Sequence, residues 1–151
     1  MAYADTLRSK TFTGPDIANL IEGIFVAGHP AAWTTWTPSP LGATGSMTFT
    51  TTTIQFANYI QIGKLVFVSL RIDGTIGGTV NTGITVPMPV TSATTTFDQV
   101  AGARIFTNGA GEAGYVSISS ASTTATFYRT NTGNYVAGSA AVSANFVYRA
   151  A

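Results

Sequence analysis

The sequence predicts a mainly β protein: an antiparallel β-sandwich or jelly-roll-like barrel, preceded by an N-terminal arm and one short α-helix. Three observations carry this. The hydrophobic period is two over most of the chain after Ser46. Turn signals rich in Gly and Asn separate the apolar runs at short intervals. Thr is the commonest residue, and β-branched and aromatic residues fill the runs, as suits a pleated surface. At 151 residues the chain is long enough for one domain with a substantial core. It divides into residues 1–40, an arm, helix and connector, and residues 41–151, the β-domain.

Residues 1–13 show no periodicity and read as an extended arm. The helix signature follows in "TGPDIANLIEGIFVAGHP". Thr13 or Gly14 serves as cap, Pro15 suits the first turn, and Asp16 complements the helix dipole. Ile17, Leu20, Ile21, Ile24 and Phe25 make one apolar stripe at helical spacing. Gly28 and Pro30 end it. A three-turn helix is marginal alone in water, so the stripe must pack, on its own domain or on a neighbouring copy. These five residues are therefore candidate interface residues. In "AWTTWTPSP", Trp33 and Trp36 read as plugs that anchor a connector to the rim of the β-domain; contact with a neighbouring subunit, which makes them interface candidates too, and ligand stacking are their other uses. Pro38 and Pro40 stiffen that connector.

Within the β-domain, "KLVFVSLRI" is the strongest strand. Val66, Val68, Leu70 and Ile72 share a face, and Leu65 and Phe67 make the other face apolar at its start. That pattern predicts a central strand covered on both sides there. "DGTIGGTVNTG" and "NGAGEAG" read as turns, which places Asp73 and Glu112 in turns. "ITVPMPV" is a short strand confined to an edge or rim by Pro87 and Pro89. Further strands lie in "FDQVAGARIF", "AGYVSISS", "TATFYRT" and "AAVSANFVYR", the last with Val142, Ala144, Phe146 and Tyr148 on one face. Tyr135, in the Gly-rich "TGNYVAG", is expected near the surface. No fixed-period repeat is present, which argues against a solenoid or propeller.

Charged residues are only 9% of the chain, against about 25% in ordinary soluble domains. The net charge is +1 and the seven basic residues are scattered, which disfavours nucleic acid as partner. With no cysteine there is no disulfide, thiolate nucleophile or zinc–thiolate site. His29 is the single histidine, too few for a histidine-cluster metal site. The six carboxylates, Asp5, Asp16, Glu22, Asp73, Asp98 and Glu112, show no spacing that pairs them for acid–base work. No nucleophile elbow, phosphate loop or cofactor motif occurs, so neither catalysis nor a cofactor is expected. No signal-peptide core or membrane-length apolar run is present. A weakly charged surface of Thr, Ser, Asn and Gly suits a molecule packed against other protein.

One run carries a resemblance. Trp36-Thr37-Pro38, a Thr/Gly stretch and "NYIQIGKLVFVSLRIDGT" are followed by "ITVPMPV"; the matching residues are Trp36, Thr37, Pro38, Tyr59, Ile62, Gly63, Leu65, Val66, Pro87 and Pro89. This resembles a β-domain common in structural proteins of tailed bacteriophages, over residues 33–91. The resemblance implies a jelly-roll-like homotrimer without enzymatic activity, located in the virion and made in the bacterial host cytoplasm. Its partners would be other copies of itself and the major capsid protein or other virion proteins. With about 40 residues ahead of the β-domain and no fibrous shaft, a capsid decoration (cement) protein is the expected role. The alternative is a tail-fibre or tail-appendage module that recognises the host surface through the loops near "NGAGEAG" and "NTGNY".

Overall fold

A computed structural model describes residues 33–39, 41–131 and 133–151, which belong to one compact unit running from Ala32 to Ala151. The arm and the helix expected after Gly14, with Ile17, Leu20, Ile21, Ile24 and Phe25, lie outside the described residues. The described chain is mainly β and contains no helix. Its strands are β1 (Thr34–Thr35), β2 (Gly42–Ala43), β3 (Met47–Ile62), β4 (Leu65–Gly78), β5 (Gly83–Pro87), β6 (Gln99–Thr107), β7 (Ala110–Ile118), β8 (Thr124–Arg129) and β9 (Gly138–Arg149).

All pairings are antiparallel, and the strands form one continuous sheet in the order β1-β3-β4-β9-β6-β7-β8-β5-β2. The sheet curls into a half-barrel. Its own concave face, rather than a second facing sheet, encloses the core. The period-two pattern decides which residues point inward. On β4 these are Val66, Val68, Leu70, Ile72 and Ile76, all buried. Beside them on β9 stand Val142, Ala144, Phe146 and Tyr148, in the register Ile72↔Val142 and Val68↔Phe146. Ile105, Val116, Ile118 and Phe127 complete the core from β6, β7 and β8.

Curvature has local causes. Two register shifts interrupt β3, between Thr51 and Thr53 and between Ile54 and Phe56, and such bulges bend and twist a strand. Several strand glycines remove side chains where the curl brings groups close. A Cβ on Gly74 would lie 2.6 Å from the Phe49 ring, and one on Gly114 would lie 2.5 Å from Ile105 Cγ1. This corrects the sequence reading. "DGTIGG" is not a turn but the continuation of β4 to Gly78, and most of "NGAGEAG" belongs to β7. Only Asn108 and Gly109 make the turn there, both at positive φ (48° and 82°). Asp73 and Glu112 are therefore strand residues.

Two further expectations change. Leu65 is 49% exposed and Phe67 half-buried, so the outer face of β4 is not covered by described residues. Tyr135 is 1% exposed. Its backbone N–H donates to Asn81 O and its hydroxyl to Phe127 O, which draws the Gly-rich loop onto the core. The C-terminal residues are held as well: Ala150 N–H donates to Lys64 O and Ala151 N–H to Thr91 O.

Ile72 is wholly buried in the central row. Ile72→Ala is expected to cost about 2–5 kcal/mol in urea unfolding; a loss under about 1 kcal/mol would contradict this core. A pH dependence follows from the buried tyrosines. Burial pushes the Tyr148 phenol up to about 12 and raises that of Tyr135 as well. Unfolded tyrosines ionise near pH 10, whereas the folded Tyr148 stays neutral until about 12. The stabilisation is thus complete below pH 10 and is lost as pH rises from 10 through 12. The melting temperature should fall across that window, and Tyr148→Phe should reduce the slope.

Candidate functional site

Three features of the β-unit offer themselves for recognition: a closed seam, an open strand edge and an apolar patch on the convex face. β3 and β4 form the longest hairpin, joined by the two-residue turn Gly63–Lys64 with Gly63 at φ +59°. The connector runs from β1, which pairs with β3 at Thr34↔Tyr59 and Thr35↔Asn58, to β2, which pairs with β5. Trp36 sits between them. Its backbone N–H donates to Ala57 O, its ring meets Tyr59 edge-on at 6.0 Å, and its indole N–H donates to Pro87 O at 3.3 Å. One side chain thereby ties β3 to β5 across the gap between the two ends of the sheet. Trp36, Tyr59, Gly63 and Pro87, which stand far apart in the chain, are thus parts of one hairpin and its closure.

N-terminal to Ala57 the outer edge of β3 is not covered by a strand of the described residues. Among the described residues nothing pairs with it from Thr48 to Phe56. The stretch reads TFTTTTIQF, and Thr48, Thr50, Thr51, Thr52, Thr53, Gln55 and Phe56 are exposed. It carries no charge and no proline, the usual devices that keep a sheet edge from pairing with another chain. The two bulges are the only such device present.

Further along the same strands the convex face is apolar. Ile60, Phe67 and Val147 lie in one cross-strand row, with Ile62 and Leu65 in the next. Trp33, 52% exposed, lines a shallow cleft of about 300 Å³ with Phe67 and Val147. The two tryptophans thus part company: Trp36 is built into the seam and Trp33 stands on the surface. The five helix-stripe residues singled out as interface candidates, and His29, lie outside the described residues.

The described carboxylates are dispersed, each with partners of its own. Asp98 accepts from Ser117 Oγ at 2.9 Å and Ser119 Oγ at 3.3 Å. Glu112 holds Arg129 by two hydrogen bonds, at 2.5 and 3.1 Å, and Arg129 also donates to Asn134 O, clamping the Gly-rich loop. Asp73 pairs with Arg71 at 3.2 Å. Among the described residues no group of three or more His, Cys, Asp or Glu side chains could hold a metal ion, and no helix is long and apolar enough to cross a membrane. The loops around Gly109 and Gly133 meet at one end: Asn108 N–H donates to Ser139 O, and Asn108 Nδ2 to Ala137 O at 3.3 Å.

No protein-family model, curated protein or solved structure matches this chain.

The seam yields a graded prediction. Trp36→Phe keeps an aromatic ring against Tyr59 and loses the hydrogen bond to Pro87, at a cost of about 0.5–1.5 kcal/mol. Trp36→Ala empties the gap and should cost more, roughly 2–4 kcal/mol for this partly buried side chain. Equal losses for the two variants, read from chemical unfolding, would show that the ring does not close the seam.

Proposed function

We propose that this chain is a non-enzymatic structural protein of a bacteriophage virion, a homotrimeric capsid decoration protein that reinforces the head shell. The observation that carries this reading is the open edge of β3 from Thr48 to Phe56. Along these nine residues of uncharged, β-branched-rich edge, the backbone N–H and C=O groups that point away from β4 are satisfied either in water or against a strand from another chain. Such pairing draws its affinity from main-chain hydrogen bonds and does not require charge, in keeping with a chain of only 9% charged residues. The neighbouring apolar face at Trp33, Phe67 and Val147 adds burial to the same contact. Three further considerations fit: the run over residues 33–91 that resembles phage virion domains, the weakly charged surface, and the apolar stripe from Ile17 to Phe25. In this reading each trimer bridges adjacent capsid subunits and opposes the outward pressure of packed DNA. The jelly-roll-like class and the virion location belong to the same proposal.

A second reading, a tail appendage that recognises the host surface, draws on the meeting of the Gly109 and Gly133 loops at one end of the half-barrel. Copy number in purified virions, measured by mass spectrometry against the major capsid protein, separates the two. Hundreds of copies per particle support decoration. A few to a few dozen place the protein in a tail or vertex appendage, and absence from particles defeats both. The edge is tested by Thr50→Lys with Thr53→Lys, two exposed positions on β3. The double variant should keep its melting temperature within a few degrees and lose incorporation into particles; normal incorporation would show that the edge is not the contact.

A further inference from the structure

On the convex face two rows of side chains with different chemistry run side by side. Ile60, Phe67 and Val147 follow one another across β3, β4 and β9, and Trp33 immediately precedes β1, which flanks β3. In the neighbouring row Thr35, Asn58, Ser69 and Asn145 follow one another across β1, β3, β4 and β9. Residues two apart on a strand share a face about 7 Å apart, so the apolar and the polar row are parallel. The cleft of about 300 Å³ takes its lining from both: Trp33, Phe67 and Val147 from the first, Ser69 and Asn145 from the second.

Burial against a neighbouring chain accounts for the apolar row. It does not account for the polar one. Ser69 is half-buried and Asn145 exposed, and neither side chain makes a hydrogen bond with a described residue. Beside them Thr35 Oγ1 donates to Asn58 Oδ1 at 2.9 Å, which holds that amide and leaves its NH2 group without a partner among the described residues. No residue that lines the cleft is charged. An apolar side chain laid over it covers the serine hydroxyl and the asparagine amide without replacing their bonds to water, which costs free energy.

We propose that this cleft binds a neutral saccharide, with one hexopyranose unit of a longer chain stacked on Trp33. A pyranose has an apolar C–H face and a rim of hydroxyls that both donate and accept. The lining divides in the same way. Trp33, 52% exposed, offers a broad apolar ring, extended by Phe67 and Val147. A serine hydroxyl and an asparagine amide each donate and accept, so Ser69 and Asn145 match neighbouring sugar hydroxyls. An acidic sugar finds no cation in the lining. The volume lies at the lower end of the roughly 300–1,000 Å³ of small-molecule sites, which suits one ring with the rest of the glycan outside.

A cleft filled by a sugar is not buried against protein at the same time, so the free chain is the form to titrate. The full chain is titrated with cellotriose, followed by calorimetry and by the NMR signals of the Trp33 indole N–H and the Asn145 amide. Sorbitol, which has the hydroxyls but no ring face, and N-acetylleucinamide, an apolar amide, serve as comparison probes. Cellotriose should bind, shift the Trp33 and Asn145 signals, and leave in place the indole signal of Trp36, which is bonded to Pro87 O. Binding should vary little with salt, because no charge takes part. Trp33→Ala should lose about tenfold in affinity or more. Asn145→Ala, at an exposed residue without a bond to a described residue, should keep its melting temperature within a few degrees and bind more weakly. No cellotriose binding at about 10 mM, unchanged affinity in either variant, or equal binding of sorbitol or N-acetylleucinamide would each overturn the assignment. Sugar binding by the free chain is independent of where in a particle the protein sits, so these outcomes leave the assembly reading to its own test.

Discussion

The structure rests on the need of one curled sheet to bury its own concave face. With no second layer among the described residues, the row Val66, Val68, Leu70 and Ile72 is covered only if β6, β7 and β8 bend round to meet β4 and β9. Bulges in β3 and missing side chains at Gly74 and Gly114 permit that bend. The ends of the sheet must then be joined, and Trp36 does so by reaching from the β3 side to the carbonyl of Pro87 at the end of β5.

The same solution leaves the outside uneven. A sheet closed by a connector rather than by strand pairing leaves an edge unpaired among the described residues, and here that edge is the long, uncharged Thr run of β3. A sheet that buries only its concave face also leaves its convex face to whatever side chains alternate outward. Near the β3–β4 turn these are apolar; two rows further along they are Arg71, Asp73, Arg104 and Phe106. The surfaces available for recognition are therefore by-products of how the core is enclosed, and no cleft between layers is needed to make them.

Glycine links the two faces. Gly74 and Gly114 admit the close approaches that the curl demands, while Gly111 makes room for a surface arginine. Composition alone does not separate these uses from turn formation. Of "NGAGEAG", only Asn108 and Gly109 have the left-handed backbone of a hairpin turn, and the later glycines pair within β7.

The sequence by itself determined the β class, the strands from β3 onward apart from the second part of β4, and the inward faces of β4 and β9, because alternation along one strand is local information. It also marked Trp33, Trp36 and the Pro-rich connector as special. Tertiary structure alone decided the rest. Whether a glycine bends, packs or turns depends on which strand passes beside it. Tyr135 is held in the core by two hydrogen bonds, its N–H donating to Asn81 O, far away in sequence, and its hydroxyl to Phe127 O on β8. Arg71 and Arg104 become neighbours only because β9 lies between β4 and β6, a strand order that no local pattern specifies. Registry between distant strands is a long-range property, set when the whole sheet closes on its core.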